Sequence, residues 1–99
     1  MKTITIQIGN TDNKLTQQEW AVFISFVRTD AREMSAADGG QVHFDGGSSG
    51  DAPWQNHCIV LVMKNEDLLK LRMARRAMHF RQDSIAVTVG ETEMVKAQS

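Results

Sequence analysis

Residues 57–63 read HCIVLVM, and positions 59–63 within that run are apolar without interruption. Side chains alternate between the two faces of a strand, so an unbroken apolar run signals a strand covered on both sides. Ile59, Leu61 and Met63 project one way and Val60 and Val62 the other. Two helices packed on one face would leave the remaining set needing a second cover. The expectation is that Ile59, Leu61 and Met63 lie in an oligomer interface, together with Val22 and Phe26, which share the otherwise polar side of the first helix.

The neighbouring stretches supply the other elements. KTITIQI at 2–8 alternates Ile4, Ile6 and Ile8 with Thr3, Thr5 and Gln7, the period of a half-buried strand, and Gly9, Asn10, Asp12 and Asn13 then provide turn chemistry. In LTQQEW at 15–20, Thr16 and Glu19 have the spacing of a capping box, with Leu15 and Trp20 as a hydrophobic staple. A helix therefore starts at Thr16. Its inward stripe is Trp20, Phe23, Ile24, Val27, Ala31 and Met34, and Gly39 suits the left-handed position after its last turn. Residues 41–44 predict a short strand. Asn65 can cap a second helix that runs to about Phe80, with Glu66 and Asp67 in its favourable first turn. Residues 84–89 alternate as a last strand, and the 91–99 tail can add a short edge strand.

The resulting order is strand, helix, strand, strand, helix, strand, all within one domain of 99 residues. It resembles the ferredoxin-like βαββαβ plait, an α+β architecture with a four-stranded antiparallel sheet and two helices on one face. The resemblance implies that the first and third strands are central. Many unrelated activities share this architecture, so it implies no function.

Composition narrows the class. Hydrophobic residues make up 41% and charged residues 23%, as in a folded soluble chain, and the net charge is −1. No apolar run is long enough to span a bilayer, and the alternating start is unlike a signal peptide, so a cytoplasmic protein without a membrane partner is expected. The single cysteine, Cys58, excludes an intrachain disulfide and a cysteine-rich zinc site. Met63, Met73 and Met78 read as core filler.

Three groups carry possible chemistry. The first is the glycine-rich connection at 45–56, with Asp45, Gly46, Gly47, Ser48, Ser49, Asp51, Trp54, Gln55 and Asn56, followed by His57. Its glycines let backbone approach a ligand, yet it has neither P-loop nor dinucleotide order and it precedes a strand instead of opening a helix. Trp54, beside Pro53, would anchor a protein partner. The second group is His43, Asp45, Asp51 and His57, which flank one hairpin; their spacing matches no compact zinc signature, and a Ser48–His57–Asp51 triad lacks a nucleophile elbow. Neither a metal nor a cofactor is expected.

The third group is Arg72, Arg75, Arg76 and His79, a basic stripe at i, i+3, i+4, i+7. Positions 64–83 hold six Lys or Arg against three Asp or Glu, whereas 30–51 hold five acidic residues against Arg32 alone. The stripe suits a small anionic ligand, an RNA or DNA backbone, or an acidic protein surface, or it pairs with acids of its own chain or of a second subunit. Sequence-specific nucleic-acid recognition is not expected, because neither central strand carries the aromatic residues on which an RNA-recognition sheet stacks bases.

These features favour a small non-enzymatic binding module acting as a homo-oligomer, which recognises a protein or small anionic ligand through the 45–56 connection and the basic stripe. One alternative is an accessory protein of a phage or mobile element that inhibits or sequesters a host defence component. Another is a dimeric α+β barrel enzyme with His43 or His57 as proton carrier.

Overall fold

A computed structural model describes residues 1–10, 14–48 and 55–98. The elements are β1 (Lys2–Gly9), α1 (Gln17–Ala37), β2 (Gln41–Ser48), β3 (Asn56–Met63), α2 (Asp67–His79) and β4 (Ala86–Glu91). They form an antiparallel four-stranded sheet in the order β2-β3-β1-β4, the ferredoxin-like plait with β1 and β3 central. Residues 92–98 add no strand to it.

Local chemistry sets the boundaries. The Thr16 hydroxyl accepts the Glu19 amide at 3.1 Å while the Glu19 carboxylate accepts the Thr16 amide at 3.0 Å, so both halves of the capping box form. Gly39 adopts φ 75° after α1, and the Gly40 amide closes on the Ser35 carbonyl at 2.8 Å. At the start of α2 the Asn65 side chain accepts the Asp67 amide at 2.9 Å, as an Asx turn ahead of the helix.

The core lies between one face of the sheet and the two helices. Ile4, Ile6 and Ile8 from β1 and Ile59, Leu61 and Met63 from β3 are all buried against Trp20, Phe23, Val27 and Ala31 of α1 and Leu69 and Met73 of α2. This overturns the placement of Ile59, Leu61 and Met63 in an oligomer interface. The physical reason is volume: the larger of the two apolar sets fills the space under the helices, in register with the β1 isoleucines (Ile4 opposite Leu61, Ile6 opposite Ile59). The open face receives Val60, Val62 and Cys58. Met63 and Met73 are core residues as expected, but Met78 is 77% exposed and packs no core.

The second strand is longer than its sequence suggests. Asp45, Gly46, Gly47 and Ser48 pair with β3 after an irregularity between Val42 and Phe44, instead of forming a loop. Gly47 explains why a glycine stands there, since a Cβ would lie 2.1 Å from the Asn56 carbonyl oxygen. The strands approach so closely at this point that no side chain fits.

Candidate functional site

Three surfaces collect the residues singled out above. The first lies at the hairpin end of the sheet, on the helix-facing side. Asp45 of β2 and His57 of β3 point under α1, where the His57 imidazole Nε2 meets one Asp45 carboxylate oxygen. Arg28 bonds both oxygens, through Nε and, at 3.4 Å, through Nη2, and Arg32 one turn later stands 3.6 Å away. Asp45 keeps only 13% of its side chain exposed, and His57 is buried. Burial alone would raise the Asp45 carboxyl, but hydrogen bonds from Arg28 and His57 outweigh it and hold the group below its ordinary range.

This arrangement fastens α1 to the β2–β3 hairpin and leaves Asp45 little capacity for a ligand. His43, by contrast, bonds Gln41 at 3.2 Å and takes no part in the cluster. Because the folded-state value of Asp45 is depressed, its stabilisation is complete above the unfolded carboxylate value near about 3.9 and disappears as pH falls through the lower folded value. Asp45→Asn should therefore cost about 1–2 kcal/mol at neutral pH, a figure reduced for the partly exposed arginines. Urea unfolding in acid checks the sign: the wild-type midpoint should drop steeply below about pH 4, and the variant's should drop less.

Gln55 is also internal. Its amide joins Asn10, whose Nδ2 donates to the Gln55 Oε1 and to the Leu15 carbonyl, each at 3.0 Å, and Gln17, whose Nε2 donates to the same oxygen at 3.2 Å. Asn10 and Gln55 are both buried, so this network ties the β1–α1 connection to the start of β3 and satisfies polar groups that would otherwise be costly. Gly46, Gly47, Ser48 and Asn56 are strand residues, as described above. The expectations for Ser49, Asp51 and Trp54 lie outside the described residues.

The basic stripe on α2 is divided. Asp30 of α1, 2% exposed, accepts Arg76 at 2.7 and 3.1 Å and Arg72 at 3.0 Å. That hydrogen bonding raises the already high Arg76 value further. The Arg76 guanidinium also lies 4.6 Å above the Phe26 ring, and the His79 ring centroid is 6.1 Å from Phe26. Arg72 and Arg76 thus pair within their own chain, while Arg75 and His79 remain exposed. Phe26 is 38% exposed because α2 covers the rest, and Val22 is 41% exposed beside it.

The open sheet face is the third surface. Its three cross-strand rows are Gln41–Val62–Thr3–Gly90, Phe44–Val60–Thr5–Thr88 and Gly46–Cys58–Gln7–Ala86. No position in these rows carries a charge, although 23% of the chain is charged. Phe44 heads the central row at 54% exposure, its ring lying across Gly46. His57 faces the helices, so a chamber enclosed between two such sheets would not contain it, which removes it as the proton carrier of a dimeric barrel. Among the described residues no group of three His, Cys, Asp or Glu is placed to hold a metal ion, and no helix is long and apolar enough to cross a membrane.

Sequence reasoning missed Phe44, Arg28 and Asp30. Phe44 sat in what read as a four-residue strand, with no partner strand to show its face. Asp30 did leave a signal, since it occupies the inward arc of α1 beside Phe23 and Val27, across from a basic stripe. No protein-family model matches this chain, and no curated protein matches it in sequence.

Proposed function

We propose that this protein is a small non-enzymatic binding module that works as a homo-oligomer and recognises a protein partner through the open face of its sheet. One observation carries the reading: the three paired rows of this face hold no Asp, Glu, Lys or Arg and the central one has an exposed phenylalanine. Charged residues are depleted at the centres of protein interfaces and aromatic residues enriched, and a charge-free row of Phe44, Val60, Thr5 and Thr88 fits an apolar protein surface. A small anion is the weaker candidate, because two of the three arginines of the stripe already bond Asp30.

Native mass spectrometry of the protein recovered from the cells that naturally make it tests this reading. Wild type should retain a protein partner in fixed stoichiometry, and Phe44→Glu should lose it with an unchanged unfolding midpoint, since the ring is over half exposed. Equal retention by both forms would place recognition elsewhere. A bound small ligand without a partner protein would favour the anion reading instead.

A further inference from the structure

The second helix is apolar on two opposite sides. Leu69, Met73 and Ala77 face the core and are buried. Leu68, Leu71 and Met78 face directly away from it and are 69, 56 and 77% exposed. With Arg75 they recur at spacings of three, four and three residues. At 100° per residue these four positions fall within an arc of about 80°, the geometry of a helix–helix seam. A helix with a single core needs only one apolar stripe, so this second one calls for a cover that the described residues do not supply.

We infer that this stripe is the contact between two copies of the chain, with their α2 helices antiparallel across a two-fold axis. Charge selects both the occupant and the direction. At the Leu68 end stand Asp67 and, across a groove that Leu68 lines with Met34 and Arg72, Glu33 of α1. At the other end stand Arg75 and His79, both exposed. An antiparallel copy sets each acidic end beside a basic end and opposes the helix dipoles, whereas a parallel copy would set like against like. In the antiparallel register Leu68 meets Met78 of the second copy, and Leu71 meets the aliphatic stem of its Arg75. The two open sheet faces then point outward in opposite directions. That makes the assembly bivalent, a consequence which rests on the sheet face being the recognition surface.

Sedimentation equilibrium on the full chain across a wide concentration range provides the test. Wild type should associate to twice its 11.1 kDa mass. Leu71→Arg should weaken the dimer at least about a hundredfold, because it removes two buried leucines and sets a second arginine against Arg75 at two places on the seam. Its circular dichroism should match wild type, since position 71 is exposed. Combining Leu71→Arg with Arg75→Glu, the position that faces it in this register, should recover much of the association by restoring opposite charges. A wild type that stays monomeric, a Leu71→Arg dimer as tight as wild type, or a double variant no better than Leu71→Arg alone would each overturn the inference. Dimerisation abolished by Phe44→Glu instead would move self-association to the sheet and overturn it too. Mass alone decides here, so the dimer can fail while partner recognition stands, and the reverse.

Discussion

Phe23→Ala should lower the unfolding free energy by about 3–5 kcal/mol, the largest loss expected of any single apolar substitution in this chain. Phe23 is fully buried, with Trp20 edge-on at 6.2 Å between ring centroids and Phe80 at 4.8 Å. Its ring therefore links the first two turns of α1 to the end of α2. Truncation removes the transfer free energy of the ring and leaves a void that two large aromatic neighbours cannot fill without leaving their own rotamers. For a domain of this size the loss corresponds to a melting-temperature drop of roughly 15–30 °C, enough to bring a marginally stable fold near its limit. Urea titration of wild type and variant measures it. Val60→Ala supplies the contrast, because Val60 lies on the open face and should cost less than about 1 kcal/mol. Similar losses at both positions would mean that the sheet is covered on two sides within the monomer.

That contrast marks where sequence reading ran out. The alternation of 2–8, the capping box at Thr16 and Glu19, and the left-handed Gly39 each depend on neighbours within a few residues, and each formed as expected. The parity of β3 could not be read in the same way. Both of its side-chain sets are apolar, so only the volume available under two helices decides that Ile59, Leu61 and Met63 go inward. The glycines at 46 and 47 hid a strand for a related reason: they read as part of a connection whose backbone could approach a ligand, while their use is close strand approach and room for the Phe44 ring. Asp45 and His57 were legible only as two of four residues, with His43 and Asp51, that flank one hairpin; in the fold these two meet as a pair. It fastens α1 to the sheet through Arg28, a partner whose position on α1 no local pattern announces. On α2 the spacing of the arginines was legible, whereas the outward direction of Leu68 and Leu71, which precede Arg72, was not, because their neighbour Leu69 faces the core.

The second large effect concerns Asp30, which decides what the arginine stripe is for. Asp30→Ala should cost about 3 kcal/mol, at the lower end of the range for breaking a buried ion pair, because the stranded arginines can turn partly toward water. Arg72 and Arg76 keep 39% and 20% of their side chains exposed, against 2% for Asp30. The order of the single arginine variants follows from the same numbers. Arg76→Ala should be the more damaging, since Arg76 gives two hydrogen bonds to Asp30 and covers Phe26, while Arg72 gives one. Replacing all three residues by apolar ones, Asp30→Leu with Arg72→Met and Arg76→Met, should restore stability close to wild type, because no buried charge is then left without a partner. Urea unfolding of the four variants tests the ranking. A stripe built as a ligand site makes the opposite forecast: Asp30→Ala would cost little and would release two cations, raising affinity for a polyanion such as heparin. Strong destabilisation by Asp30→Ala, with recovery in the triple variant, identifies Arg72 and Arg76 as the clamp between the helices and leaves Arg75 as the arginine of the stripe open to a second molecule.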